Sequence, residues 1–414
     1  MTLWDGFSAL QRTLCSIVWC RPYEPHLKDP EITVTGCLHL FKPRSCRIPE
    51  TKVKRWNINQ SERRALSGPP GGVNGMQQRL GKGPLLDARG RLVERGWATE
   101  EVRQYERSAI RANGLRIKEW DYYCILTPEF GLALTVADNG YLGFLGTSWM
   151  DLKSGTAVND GAVIPFPMGR MDLPESADSG DIVQNHRDMS LSFLHEPGGR
   201  RLVVDAPRFD GGRGLKGELW LAQPRMDRMV IATPFANAPR AFYYNQKINC
   251  LPATGEIRIG REVHQFSPSS AFGVLDWGRG VWTYSNVWYW GSASGMCGDR
   301  CVGFNIGYGF GDTSAASENM VFVDGKSHKL DQVTFLMPDG PVDSAPWRFT
   351  SNDGRFELHF EPIVNRHHTT DLGLFKTSQD QVFGLFSGDV KLDDGSTLKI
   401  DALPGFAEEV RNRW

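Results

Sequence analysis

Apolar residues recur at every second position through much of this chain, and turn-forming pairs interrupt them at short intervals. Leu132, Leu134 and Val136 share one face, as do Val302, Phe304 and Ile306, and again Phe356, Leu358 and Phe360. A period of two sends alternate side chains to opposite faces of an extended strand, a pattern that a helix cannot use. Between the runs lie Asp138-Asn139-Gly140, Asp210-Gly211-Gly212, Asp324-Gly325, Asp353-Gly354 and Asp394-Gly395. Asn-Gly and Asp-Gly supply the positive φ angles of tight hairpins. Residues 115–402 are therefore expected to be mostly antiparallel β. The 45 glycines among 414 residues, about 11% against a usual ~7%, suit a chain with many turns. No repeat of ~20–50 residues is evident, which counts against a propeller.

Two segments read as helices instead. In 99–113, Thr99 can cap the N-terminus, Glu100 and Glu101 suit the positive helix end, and Gly114 can terminate it. A short closing helix is expected over 405–414. The longest stretch without periodicity is 153–188, containing Pro165-Phe166-Pro167-Met168-Gly169-Arg170. A loop of that length is usually functional or disordered, and this one suits either a lid over a barrel mouth or a plain cover for a sheet.

The net charge of −1 conceals an asymmetry. Residues 1–83 hold 13 Lys/Arg and 6 Asp/Glu, a net of +7, which leaves −8 for residues 84–414. With Ser67-Gly68-Pro69-Pro70-Gly71-Gly72 at its end, the first stretch reads as a poorly ordered basic extension on a linker. The near-neutral total argues against a nucleic-acid partner. The apolar run around 13–20 is far short of the ~20 residues that span a bilayer, so no integral membrane segment is expected, and a cytoplasmic location is. The cysteines are Cys15, Cys20, Cys37, Cys46, Cys124, Cys250, Cys297 and Cys301. Cys297 and Cys301 have no further ligands at a recognisable metal spacing, and no metal is expected.

Candidate chemistry concentrates in Asp276-Trp277-Gly278-Arg279-Gly280-Val281-Trp282 and Trp288-Tyr289-Trp290-Gly291, where four of thirteen tryptophans fall within fourteen residues. On a strand, Trp288 and Trp290 share a face and Tyr289 takes the other. Such rings line an apolar cavity, stack on sugars, or stabilise a developing cation. Asp276, if desolvated, becomes a general acid, while Arg279 favours its ionised form; the two also suit an ion pair at a strand end. Gly307-Tyr308-Gly309-Phe310-Gly311-Asp312 lacks the Lys-Ser/Thr of a phosphate loop and reads as a bulge or a close strand approach. Asp312, Glu318 and Asn319 are polar candidates around the same cavity. In Lys118-Glu119-Trp120-Asp121-Tyr122-Tyr123, alternation puts Glu119, Asp121 and Tyr123 on one face, which faces solvent unless it lines a barrel. His186 and His195 flank the expected lid, and no Gly-x-Ser-x-Gly elbow occurs.

Taken in order, several segments resemble the family catalogued as domain of unknown function 2804. They are Gly83-Pro84-Leu85-Leu86-Asp87, Lys118 to Tyr123, 165–171 with Leu173-Pro174, Asp276-Trp277-Gly278-Arg279-Gly280, Asn305-Ile306-Gly307-Tyr308-Gly309, Glu318-Asn319 and Gly405-Phe406-Ala407-Glu408-Glu409. A more distant resemblance is to lipocalin-like two-barrel proteins, among them carotenoid hydratases, tocopherol cyclases and a ceramide-handling stress-survival group. It rests on Asp276 followed by Trp288-Tyr289-Trp290-Gly291; Trp277 and Gly278 stand where the hydratases carry His and Asn.

The resemblance implies a mainly β fold of two antiparallel, lipocalin-like (calycin-type) barrels or half-barrels with a few short helices. The expected division is 1–82 as the extension, 83–264 as the first β unit and 265–414 as the second. It also implies a cofactor-free protein whose partner is a hydrophobic small molecule. Three functions follow. The first is an enzyme that protonates an isoprenoid or lipid for hydration, cyclisation or isomerisation. Its expected catalytic residues are Asp276, Arg279, Asp312 and Glu318; Trp120, Tyr123, Trp277, Trp282, Trp288, Tyr289, Trp290 and Asn319 would bind the ligand. The alternatives are a non-catalytic carrier and a carbohydrate-active or carbohydrate-binding β protein.

Overall fold

The computed structural model describes residues 77–371 and 376–413. The basic extension up to residue 76, its linker and Cys15, Cys20, Cys37 and Cys46 lie outside the described residues. From 77 to 82 the chain is packed rather than loose: Leu80 is buried, and the Gln77 amide donates to Leu330 O at 2.9 Å.

The described chain is mainly β, in two large antiparallel sheets and one two-stranded parallel pair. The first sheet has 13 strands, the second nine. One of the two is a nearly closed barrel and the other a half-barrel, each curled round a core of its own. The middle of the first sheet runs Phe130–Asp138, Ile117–Leu126, Phe272–Val281, Ala238–Ile259. The middle of the second runs Arg300–Tyr308, Ser285–Cys297, Thr397–Arg413, Lys376–Lys391, Phe356–Asp371. Because Phe272–Val281 lies between two first-sheet strands, the sheets divide after Val281 and not at 264/265. Asp324-Gly325 joins Met320–Val323 to Lys326–Lys329 with φ of 49° and 78°, the positive pair that this hairpin turn requires. Among the described residues no helix is long and apolar enough to cross a membrane.

Three local expectations are corrected. Residues 99–113 form the two-residue strand Arg103–Gln104 and the 3-10 turn Arg107–Ala109, with no α-helix. Extended backbone sends Arg103 and Tyr105 inward on alternate positions, where Arg103 pairs with Glu94 and the Tyr105 hydroxyl donates to Glu119 at 2.7 Å. These buried polar contacts outweigh a helix propensity worth only a few tenths of a kcal/mol (~0.5) per residue. Of the expected closing helix, residues 405–413 belong to the strand Thr397–Arg413, which is central in its sheet, and Trp414 lies outside the described residues. Both its faces are covered, so its buried Glu408 and Glu409 take partners instead of marking a solvated helix face. The 153–188 stretch contains the strands Thr156–Pro165 and Ile182–His186, and only 166–181 remains irregular.

That shorter strap is held by the barrel's contents. Arg279 donates to Pro174 O at 2.8 Å, and Arg200 to Ala177 O at 2.5 Å. Glu119, Asp121 and Tyr123 line the barrel interior and are all buried, so their face is not solvated.

Glycine at 278 has a packing reason. The Trp120 indole lies across it, and a Cβ there would come within 2.0 Å of the ring. Gly278→Ala is expected to displace that indole and destabilise the fold by ~1–3 kcal/mol, as overpacking does. A lower urea midpoint with red-shifted tryptophan emission would register both effects.

Candidate functional site

The outer face of the barrel packs against the outer face of the half-barrel, and this shared layer is not uniformly apolar. Alternation along Ala238–Ile259 puts Tyr243, Asn245, Lys247 and Asn249 on it, and along Phe272–Val281 it puts Asp276 there. From the second sheet come Trp288, Trp290, Asn305 and Glu408. Lys247 and Asp276 are direct cross-strand partners. The Lys247 ammonium lies 2.9 Å from the Asp276 carboxylate and 3.7 Å from the centre of the Trp290 ring. Asn245 adds a hydrogen bond to Asp276 Oδ1 at 2.6 Å.

Two further carboxyl groups respond to the same cation. Glu318 follows the glycine-rich turn, and burial pushes its carboxyl above the ordinary range, opposed by Lys247 and by the Asn305 amide. Glu408 is also raised by burial, opposed by the Trp288 indole, Gln379, Arg366 and Lys247. Trp288 Nε1 donates to Glu408 Oε1 at 3.0 Å, and Gln379 and Gln381 each donate to Oε2 at 3.0 Å. Glu408 is thus held at both oxygens. Glu318 is not: Asn305 donates to Oε2 at 3.1 Å, while Oε1 takes no hydrogen bond among the described residues.

Gly307 makes that position available. A Cβ there would sit 2.7 Å from Glu318 Oε1. The glycine-rich turn is therefore a close approach, as its residues suggest, and the group that approaches is a carboxyl. Phe310 from the same turn enters an aromatic cluster. Its ring centre is 4.7 Å from Tyr243, 4.7 Å from Trp282 and 5.2 Å from Trp288. Trp120 stacks on Tyr243 at 6.2 Å. The Tyr243 hydroxyl, like Glu318 Oε1, makes no hydrogen bond among the described residues. Burial raises its pKa first, and the charges of Glu318, Asp276 and Glu408 add to this.

Asp276, Glu318, Trp120, Trp282, Trp288 and Trp290 thus meet in or beside one layer. Arg279, Trp277 and Tyr123 do not: they point into the barrel. Arg279 pairs with Asp121 at 2.9 Å, not with Asp276, because three residues along a strand reverses the face. Trp277 packs edge-on against Tyr105 and Tyr244, and Tyr123 receives a hydrogen bond from Arg200 at 3.2 Å. Tyr289 faces the core of the second sheet, stacked on Tyr308 at 4.7 Å with its hydroxyl on Glu409. Asp312 lies at the surface beside Arg95 at 3.3 Å. Asn319 clasps the glycine turn, accepting from Gly307 N at 2.7 Å and donating to Asp331 O at 2.7 Å. Both flanking histidines lie away from the layer; His195 sits 2.9 Å from Arg200, and His186 beside Asp188. Tyr243, Lys247 and Glu408 are missed by sequence reasoning. The polar residues Asn245, Lys247 and Asn249 at period two within an apolar strand were the available signal.

No curated protein matches the chain. Among solved structures, CghA with Sch210972 aligns at 13% identity over 72% of this chain and 88% of its own, with a TM-score of 0.44. A putative AttH from Nitrosomonas europaea aligns at 13% identity over 76% and 98%, with a TM-score of 0.45. Kievitone hydratase from Nectria haematococca aligns at 11% identity over 72% and 88%, with a TM-score of 0.41. Residues 77–414 match the family described as Domain of unknown function (DUF2804), and the chain belongs to that family.

Proposed function

We propose that this protein is a cofactor-free enzyme that protonates an unsaturated hydrophobic molecule, an isoprenoid or lipid, leading to hydration, cyclisation or isomerisation. The observation that carries this reading is the buried Glu318 carboxyl, whose Oε1 takes no hydrogen bond among the described residues and whose charge reaches Tyr243, itself in the ring cluster of Phe310, Trp282 and Trp288. A carboxyl whose pKa is raised by burial is suited to general-acid chemistry. Glu318 takes this role in place of Asp276, whose carboxylate is engaged by Lys247 and Asn245. In the reaction, the Glu318 proton bonds to one alkene carbon as the π bond breaks, and the cation on the other carbon faces the aromatic rings. The cation adds water, closes a ring or does neither, and in every case it then loses a proton, which returns to Glu318 and completes the cycle. Sugar stacking on Trp290 is disfavoured, since Lys247 covers that ring.

Glu318→Gln separates function from folding. A carboxyl whose folded pKa lies above its unfolded value retains its proton when the unfolded chain has lost it. Its stabilising contribution is therefore complete below pH ~4.5 and is lost as pH rises through the folded value. The neutral amide escapes that cost. At pH 7 the variant is expected to unfold at or above the wild-type urea midpoint. Incubation of the full chain with mono-, sesqui- and diterpene alkenes in D2O should give deuterated product from wild type and none from Glu318→Gln. Equal deuteration by both proteins would exclude Glu318 as the acid.

A further inference from the structure

We infer that Cys250 and Cys301 are a redox pair that forms a reversible disulfide between the two sheets, with a low-molecular-weight disulfide as its oxidant. Cys250 sits where the register of Ala238–Ile259 against Phe272–Val281 shifts, between Ile248 and Leu251. Its φ of 60° is in the left-handed region that side-chain-bearing residues seldom occupy. The irregularity turns the Cys250 side chain towards the second sheet and against Gly303, and Cys301 stands two residues before Gly303 on the same face of Arg300–Tyr308, so the two thiols are neighbours. Both thiols are free.

The surroundings hold this contact. Cys250 N donates to Ser294 Oγ at 3.0 Å, and the Asn249 amide donates to Ser292 Oγ at 2.8 Å and to Phe304 O at 3.0 Å. These bonds anchor the bulge to the second sheet. Gly303 leaves the space that Cys250 Sγ fills, since a Cβ there would lie 2.6 Å from the sulfur. Cys250 is buried at 5% exposure, whereas Cys301 is only half-buried. A small reagent therefore reaches Cys301 first. The neighbouring Cys250 also lowers the pKa of the Cys301 thiol, which favours the attacking thiolate.

The chemistry balances as two exchanges. The Cys301 thiolate attacks one sulfur of RSSR, breaking the S–S bond and releasing RS⁻, which takes up a proton. Cys250, losing its proton to solvent, then attacks Cys301 Sγ and expels the second RS⁻. Two protein thiols are oxidised and one RSSR is reduced to two RSH. The bond would staple the sheets three residues from Lys247, and so fix the spacing of the layer that holds the ion pair.

The test uses the folded full chain incubated with oxidised glutathione, quenched with an alkylating agent, digested with trypsin without reductant and mapped by mass spectrometry. Arg300 lies between Cys297 and Cys301, so trypsin places the three thiols on separate peptides. The expected product joins 248–258 to 301–326, weighs two hydrogens less than their sum, and disappears with dithiothreitol. It should be absent from Cys301→Ser. Full alkylation of both residues would overturn the pairing, as would glutathione retained on Cys301 or a link from Cys297 to Cys301. The wild-type map decides this even if the serine variant folds poorly, and it does not depend on the proposed reaction.

Discussion

Replacing Lys247 by Met should lower stability by ~3–5 kcal/mol, the usual cost of removing one partner from a buried ion pair. The ammonium is 3% exposed and its partner carboxylate on Asp276 9% exposed, so water compensates for little. Methionine replaces most of the aliphatic stem and its contact with Trp290, which isolates the loss of charge. Asp276 is left with Asn245 as its donor, and Glu318 and Glu408 lose the cation that opposes their burial. Urea denaturation at pH 7 should show the whole deficit. It should shrink as pH falls, because protonated carboxyls need no counter-charge. Lys247→Met combined with Asp276→Asn should recover most of the stability, since no unpaired charge remains. If the single variant kept the wild-type midpoint, the ion pair would not organise the layer.

The elements legible in the sequence are those whose cause is local. Asp324-Gly325 specifies its hairpin because two positive φ angles are needed wherever that turn occurs. Alternation similarly indicates that Trp288 and Trp290 leave Ser285–Cys297 on the side opposite Tyr289. It does not indicate which side is interior, because that depends on strands far along the chain. Asp276 and Arg279 illustrate the limit: their opposite faces follow from their spacing, but a barrel on one side and a second sheet on the other do not. The strand Thr397–Arg413 misleads for a related reason. Glu408 and Glu409 look solvated until Trp288 Nε1 and the Tyr289 hydroxyl, some 120 residues earlier, are placed against them. Lys247 escapes because a lone lysine in a strand ordinarily marks an edge or a solvated face, and only the fold supplies its carboxylates.

Arg279 offers the complementary experiment inside the barrel, where Arg279→Leu should cost ~3–5 kcal/mol and loosen the strap. Its side chain is fully buried and donates to Asp121 Oδ1, to the carbonyls of Trp120 and Gly278, and to Pro174 O. Leucine fills part of the volume but leaves Asp121 buried without its ion-pair partner. Asp121 and Glu119 are raised by burial, and in both Arg279 is the next influence and acts the other way. Without it their folded pKa values rise further. The contribution of a raised carboxyl is complete below its unfolded value near ~4 and is lost as pH climbs through the folded one. The variant should therefore lie closest to wild type in acid and fall furthest behind at neutral pH. Amide hydrogen exchange should separate this global effect from the strap. Because Pro174 O loses its donors, exchange around 175–178 should accelerate more than in Ile117–Leu126. A deficit that was constant with pH would place the loss in packing rather than in the carboxyls. Unchanged exchange at 175–178 would mean that Arg200 and Arg228, through Ala177 O and the Asp178 carboxylate, hold the strap without Arg279.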